Sequence, residues 1–270
     1  MNGDGLPFTL PRVSLGTWRM RGPEAATVVR EAIALGYRCV DTATGYGNEE
    51  AVGAGIRAGG ADREDLLIVT KFPEEDAGRE RETLLRSLDL LGVEYLDLWL
   101  IHAPLDADGS LALWERFVEA REKGLVRAIG VSNFRPDQVD DLAARSGVAP
   151  AVNQVAFGPR HFDPALAGHH AARRITVQGH SPFSENDLAH PVLRATAERH
   201  GRGVHQVLLR WHVEHGVPTV AKSASPARLA ANLEVSEFSL DPSEVAAIDR
   251  IGAEASGGPG GPGASGGRAS

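Results

Sequence analysis

Leu96-Asp-Leu-Trp-Leu-Ile101 is a nearly continuous apolar run that stops on His102, and its form recurs along the chain. A run this short reads as a strand buried on both faces rather than a helix. Working outward, comparable runs are Leu67-Ile-Val-Thr70 and Tyr37-Arg-Cys-Val-Asp41 upstream and Arg127-Ala-Ile-Gly-Val-Ser132 downstream. Val13-Ser-Leu-Gly-Thr17, Ala151-Val-Asn-Gln154, Ile175-Thr-Val-Gln-Gly179 and Pro218-Thr-Val-Ala221 complete a set of eight.

Segments with helical spacing separate these runs. Residues 24–35 put Val28, Ala32 and Leu35 on one face and end at Gly36, a helix stop. Others span residues 48–57, 80–91, 111–123, 136–145, 164–172, 192–200, 204–215 and 227–235. Eight apolar strands alternating with helices in about 250 residues predict an α/β fold, a single-domain (β/α)8 TIM barrel; an open doubly wound sheet usually has fewer strands. Phe8-Thr-Leu10 is expected to form one arm of a short N-terminal hairpin closing the barrel floor, with Pro11-Arg12 as its turn. The barrel is expected to take residues 1–255. Residues 256–270, with seven Gly, three Ser and two Pro, read as a disordered tail.

Composition narrows the function. The 270 residues carry 36 acidic against 28 basic side chains, a formal net charge of -8, and only three of the basic ones are Lys. No basic stripe is left to track a phosphate backbone, so a nucleic-acid partner is not expected. No window approaches the roughly 18 uninterrupted apolar residues of a membrane span, and no cationic leader precedes an apolar run; a cytoplasmic monomer is expected. The single cysteine, Cys39, excludes an internal disulfide and a cysteine zinc cluster.

Barrel chemistry sits at the C-terminal strand ends. Read in order, these ends give Thr17-Trp18, Asp41, Lys71, His102, Ser132-Asn133, Asn153-Gln154, His180-Ser181 and Lys222-Ser223, nearly all polar. Asp41, Lys71 and His102 end three successive strands, and Tyr46 follows Asp41 by a few residues, so four proton-handling groups can converge. An ammonium beside a phenol favours phenolate, so Lys71 is expected to lower the Tyr46 pKa, with Asp41 holding Lys71 charged. The phenol then donates a proton to a carbonyl oxygen while His102 offers a second hydrogen bond. A chain that otherwise prefers Arg keeps Lys71 and Lys222 at strand ends, which marks sites wanting a compact, titratable ammonium. No metal is expected: only Asp41, His102 and His180 could ligate one there, and no His-x-His pair ends a strand.

Two patterns are set aside. Gly53-Ala-Gly-Ile-Arg-Ala58 spells a dinucleotide-binding fingerprint but follows no strand, and reads as small residues packing a helix. His169, His170, His205, His212 and His215 fall on predicted helices away from the strand ends and read as solvated or capping.

Asp41-Thr-Ala-Thr-Gly-Tyr-Gly-Asn-Glu49, Thr70-Lys71, Leu100-Ile-His-Ala-Pro104, Gly130-Val-Ser-Asn-Phe134, Val152-Asn-Gln154 and Ala221-Lys-Ser223 together resemble the aldo-keto reductase signatures, specifically the diketogulonate-reductase-like branch. The resemblance implies an NADPH-dependent oxidoreductase converting an aldehyde or ketone to an alcohol, with Tyr46 as proton donor and Asp41, Lys71 and His102 completing a catalytic tetrad. It implies NADPH/NADP+ as cofactor, with Ser132, Asn133 and Gln154 on the nicotinamide carboxamide and His180 where a stacking aromatic is common. Lys222, Ser223 and Arg228 would hold the ribose 2′-phosphate, a role that two cations and a hydroxyl at a helix start also suit on their own chemistry. Asn232 would lie near the adenine, and Trp18 would wall the substrate.

Departures from the family pattern set further expectations. Ala231 replaces a common Glu beside the adenine, and Ala103 and Gly158 are small where bulkier side chains often wall the pocket. The usual substrate-closing loop gives way to the Gly/Pro/Ser tail, so an open, weakly specified carbonyl site is expected. Protonated His180 is expected to weaken oxidised-cofactor binding at mildly acidic pH. The rival reading is a nicotinamide-cofactor-binding sensor or regulatory subunit with little turnover.

Overall fold

Strands β1 (Val13–Gly16), β2 (Cys39–Asp41), β3 (Leu67–Phe72), β4 (Leu96–Ile101), β5 (Val126–Ser132), β6 (Val152–Ala156), β7 (Thr176–His180) and β8 (Thr219–Ala221) pair in sequence order, all parallel. The strand β8 returns to β1, with Ser14 opposite Val220, and closes the barrel. This computed structural model describes residues 5–184 and 186–252. The helices are α1 (Gly22–Leu35), α2 (Glu49–Ala58), α3 (Glu80–Leu91), α4 (Ala107–Glu122), α5 (Pro136–Ser146), α6 (Pro164–Ala172), α7 (Pro191–His200), α8 (Val204–Glu214), α9 (Pro226–Leu233) and α10 (Pro242–Asp249). The fold is the expected (β/α)8 TIM barrel. Among the described residues no helix is long and apolar enough to cross a membrane.

The strands are apolar on both faces because one face fills the barrel and the other packs on helices. Outside β4, Trp99 stacks on Phe117 of α4 with centroids 3.6 Å apart, and Phe72 of β3 meets both rings edge-on. The inner layer near the floor is Cys39, Val69, Leu98, Leu100, Ala128 and Val152, capped by Leu10 with Leu6 and Phe8 against it. The expected hairpin is absent: residues 5–12 contain no strand. The alternation of Leu6, Phe8 and Leu10 looks like a strand, yet the three side chains plug the floor from irregular backbone broken by Pro7 and Pro11, which lack the donors of a ladder. The expected tail, residues 256–270, lies outside the described residues.

The glycines of the fingerprint-like pattern have the packing role expected of them. A Cβ on Gly53 would sit 2.5 Å from the Leu91 carbonyl oxygen of α3, and one on Gly55 would sit 2.6 Å from the Ala26 oxygen of α1. Helix α10 was not among the expected helices, although Asp241-Pro-Ser-Glu244 carries the signal. Asp241 accepts from the backbone N–H groups of Ser243 and Glu244, and Glu244 accepts in return from the Asp241 N–H, each at 2.9 Å.

Two of the helix histidines are core residues instead of solvated caps. His170 bonds Asn153 and the Leu166 carbonyl, while His212 sits between the carbonyls of Leu208 and Phe157. Burial drives the His212 pKa down to about 4, so it stays neutral in place.

Candidate active site

A cavity of about 550 Å³ opens at the C-terminal mouth of the barrel, lined among others by Trp18, Asp41, Tyr46, Lys71, His102, Ser132, Asn133, Gln154, His180 and Lys222. Alternation along β3 explains how Lys71 gets there. Thr70 points outward and donates to Glu49 of α2 at 2.7 Å, so Lys71 points inward. Its ammonium is buried, donates to Asp41 at the end of β2, and donates to the Thr42 carbonyl at 3.0 Å.

The other Asp41 oxygen accepts from Gln154 Nε2 of β6 at 2.8 Å, and the same amide donates to Gln178 of β7 at 2.9 Å. Both amide hydrogens are thereby used, and Gln154 Oε1 accepts nothing among the described residues. Sequence reasoning missed this bond because its partners lie 113 residues apart and meet only across the closed barrel. Of the Asn153-Gln154 pair, only Gln154 faces the cavity; Asn153 turns outward to His170 and to the Phe134 carbonyl.

Tyr46 is presented by a single 3-10 turn, Thr44–Tyr46, closed by Gly47 at a φ of 64°. That left-handed geometry suits glycine. Behind it, buried Asn48 donates to the carbonyls of Thr17 at 2.9 Å and Met20 at 3.0 Å, and accepts from the Thr42 hydroxyl at 2.8 Å. Asn48 therefore ties the Tyr46 turn to the first βα loop, a role that only contact geometry reveals. Glu49 anchors the next residue inward, accepting from Thr70 and Ser87; burial raises its pKa against the pull of those two bonds.

The Lys71 ammonium lies 5.5 Å from the Tyr46 ring centroid, and the His102 ring packs edge-on to Tyr46 with centroids 5.8 Å apart. Burial pulls the Lys71 pKa down as the largest single effect, but the charges and hydrogen bonds of Asp41 and Tyr46 together outweigh it and the net direction is up. Lys71 stays charged. The Tyr46 pKa is raised rather than lowered: burial of the phenol exceeds the opposing effect of Lys71, correcting the expected direction. The phenol is a held proton. Burial and then the Lys71 charge push the His102 pKa down, so its imidazole is neutral.

Ser132 and Asn133 end β5. Asn133 donates to the Ser132 hydroxyl and to the His102 carbonyl, both at 3.1 Å, and meets His180 Nε2 at 2.9 Å through its Oδ1. Among the described residues four non-glycine residues have positive φ, and three of them, Arg19, Asn133 and Ser181, line the cavity. Strained backbone concentrated this way marks a working surface. Trp18 is 48% exposed at the rim with the Arg19 guanidinium 4.2 Å from its ring centroid, so it is no core residue.

Ser223 and Arg228 continue beyond Lys222 into the first turn of α9. Neither Lys222 nor Arg228 makes an ion pair or hydrogen bond among the described residues, whereas Arg202 holds both Glu234 and Glu237. Asn232 is placed differently: it is buried and donates to the Tyr37 hydroxyl. Gly158 opens no space, because a Cβ there would lie 2.4 Å from the Asn186 amide, which fills the position from the loop after β7. Among the described residues no group of three His, Cys, Asp or Glu side chains could hold a metal ion.

A parallel barrel with a phenol, an ammonium and a neutral imidazole gathered at its mouth belongs to the oxidoreductases of carbonyl and alcohol pairs. The profile of the aldo/keto reductase family matches residues 12–165 and 160–253. The chain is similar to the methylglyoxal reductase DkgA of Escherichia coli, 34% identical over 246 residues covering 90% of each. It is also similar to the morphine 6-dehydrogenase of Pseudomonas putida, 37% identical over 90% of this chain and 88% of that one. Among solved structures, the Bombyx mori aldo-keto reductase in complex with NADP matches with a TM-score of 0.85 at 32% identity, covering 93% of both chains. The chain belongs to the aldo/keto reductase family and is an oxidoreductase.

Proposed function

We propose that the chain reduces small aldehydes and ketones to alcohols with NADPH, working as a cytoplasmic monomer whose site is complete within one chain. The observation that carries this reading is the cluster of a protonated Tyr46, a charged Lys71 held by Asp41, and a neutral His102 around one cavity. The cavity also fits the cofactor. Gln154 Oε1 can accept from a carboxamide, and Ser132 and Asn133 supply neighbouring polar groups; Lys222 and Arg228 are cations with no anion partner among the described residues. When bound, NADPH supplies the hydride.

The remaining work falls to the chain. Ser132, Asn133 and Gln154 orient the carboxamide, and His180 packs against the nicotinamide while holding Asn133 in place. Lys222, Ser223 and Arg228 take the ribose 2′-phosphate; Asn232 borders the adenine with its amide spent on Tyr37. Trp18 and Arg19 form the rim on which substrate docks. His102 and Tyr46 hydrogen-bond the carbonyl oxygen, and Tyr46 gives up its proton as the carbonyl carbon gains hydride, so the product is a neutral alcohol and the phenolate faces Lys71. The pull of Lys71 on the phenol matters most at that moment, when charge has moved onto the tyrosine oxygen.

NADPH consumption over a panel of aldehydes and diketones, for wild type and Tyr46→Phe and repeated with NADH, tests the reading. Turnover that needs Tyr46 and prefers NADPH is expected. Tight NADPH binding without turnover across the panel would overturn it.

A further inference from the structure

Glu49 opens α2 just beyond the Tyr46 turn, and its buried carboxylate does not line the mouth cavity. Its donors are all neutral hydroxyls. Thr70 of β3 donates to one carboxylate oxygen at 2.7 Å, and Ser87 of α3 donates to the other at 3.1 Å. Ser87 also meets the hydroxyl of Thr44, the first residue of the Tyr46 turn, at 3.2 Å. A serine hydroxyl has one hydrogen, and Glu49 takes it, so Thr44 is the donor in that last bond. The bonds run from Thr44 to Ser87 to Glu49, and Thr70 closes on the other oxygen.

Stability alone does not explain a charge at that place. Among the described residues Glu49 makes no ion pair, so the chain buries a carboxylate against hydroxyls alone, which is costly. Placement gives the reason. One oxygen holds the back of the strand whose next residue, Lys71, faces the cavity; the other holds, through Ser87, the turn that carries Tyr46. Asn48 ties the same turn to the carbonyls of Thr17 and Met20, so the phenol is bracketed from two elements at once.

We propose that Glu49 is a positioning residue: acting through Ser87 and Thr44, it fixes the Tyr46 turn against β3 and so sets the spacing of Tyr46 and Lys71. The proposal rests on the reading that Tyr46 is the proton donor. The Lys71 ammonium lies 5.5 Å from the Tyr46 ring centroid, and its charge is the largest effect opposing burial of the phenol. The Asp41 charge pushes the other way, and His102 packs edge-on against the ring. A turn released from Ser87 lets the phenol move off Lys71, which slows proton delivery and raises the Tyr46 pKa further.

Single-turnover reduction of the best panel aldehyde by NADPH, followed across neutral and alkaline pH with KM, the Kd of NADPH and Tm, tests this. Thr44→Val and Ser87→Ala are each expected to lower the rate about ten- to hundredfold, the scale of a misplaced reacting group. KM and the Kd of NADPH should stay within about twofold, since neither residue touches the cofactor cleft. In both variants the alkaline fall of the rate should move to higher pH. The two changes cut one chain of bonds, so the double variant should lose no more than the worse single one. Thr44→Ser and Glu49→Gln keep the connection, the second with its amide donating to a reversed Ser87 hydroxyl, and should retain most of the rate; Glu49→Ala should not.

Variants that lose Tm but keep the wild-type rate and an unmoved alkaline limb would make the Glu49 cluster structural and overturn the proposal. Additive losses from Thr44→Val and Ser87→Ala would do the same. Should Glu49→Ala fail to fold, those two variants decide the matter. Tyr46→Phe separates the inference from the reading beneath it: turnover that survives the change removes Tyr46 as donor and the proposal with it. Turnover that needs Tyr46 but ignores Thr44→Val and Ser87→Ala overturns the inference about Glu49 alone.

Discussion

The two ends of the barrel each bury a carboxylate, and they solve the problem with different cations. At the floor, Asp97 of β4 accepts from Arg127 at 2.7 Å, from Arg63 at 2.8 Å and from the Ile68 backbone N–H at 2.9 Å. Every strong acceptor position is met by a guanidinium or a peptide, and neither titrates in the physiological range. At the mouth, Asp41 accepts from Lys71 and from the amide of Gln154. A lysine can give up a proton and an arginine cannot, so the floor is a clamp while the mouth remains a proton-handling device. Position along the strand therefore decides what a buried ion pair is for.

The sharpest way to break this contrast is at the phenol. Tyr46→Phe is expected to lower kcat by about 10²–10⁴-fold with Tm nearly unmoved, since the phenol lines the open cavity and the ring keeps its packing against His102. A parallel fall in stability would make Tyr46 structural. Next come the two carboxylates: Asp97→Asn is expected to cost about 1–3 kcal/mol, because the buried carboxylate loses its charge-assisted bonds to the partly exposed Arg63 and Arg127. Asp41→Asn should cost less, because Lys71 can deprotonate, yet it should remove most of the activity. Guanidinium chloride unfolding and kcat measured on both variants would reverse the contrast if Asp41→Asn proved the less stable or Asp97→Asn the less active.

Gly53→Ala comes next, at about 1–3 kcal/mol of overpacking against the Leu90 and Leu91 carbonyls. Its NADPH affinity should match wild type, because the pattern around it packs α2 and touches no cofactor; a selective loss of affinity would restore the fingerprint reading. The smallest effect expected is that of pH near neutrality. The Tyr46 pKa is raised, so the acid form of the phenol is fully populated there, and reduction should decline only as pH climbs through that raised value. A kcat profile for reduction that already falls between pH ~6 and ~8 would show a phenol with a lowered pKa.

Much of this was legible in the sequence for a simple reason. Barrel strands covered on both faces leave apolar runs such as 96–101, and the polar residue that ends each run must lie at the mouth. Asp41, Lys71, His102, Ser132, Asn133, Gln154 and His180 all reach the cavity. The family resemblance to the aldo/keto reductases was legible on the same residues.

What stayed hidden depends on contacts between distant elements. The Gln154–Asp41 bond and the Asn48 bracket have no local pattern to betray them. The direction of the Tyr46 shift hid because burial, which a sequence does not measure, outweighs the visible lysine. The floor misled for the opposite reason: alternating Leu6, Phe8 and Leu10 gave a strand-like signal to a segment that pairs with nothing.

That floor has a consequence for turnover. Leu6, Phe8 and Leu10 stopper the barrel, making it a vessel with one opening. The water that restores the proton of Tyr46 after each cycle has to enter by the route that substrate and product use, so refilling queues behind departure. In heavy water the phenol is recharged with deuterium through that same mouth, so the delivery of its proton should show as a solvent isotope effect on turnover.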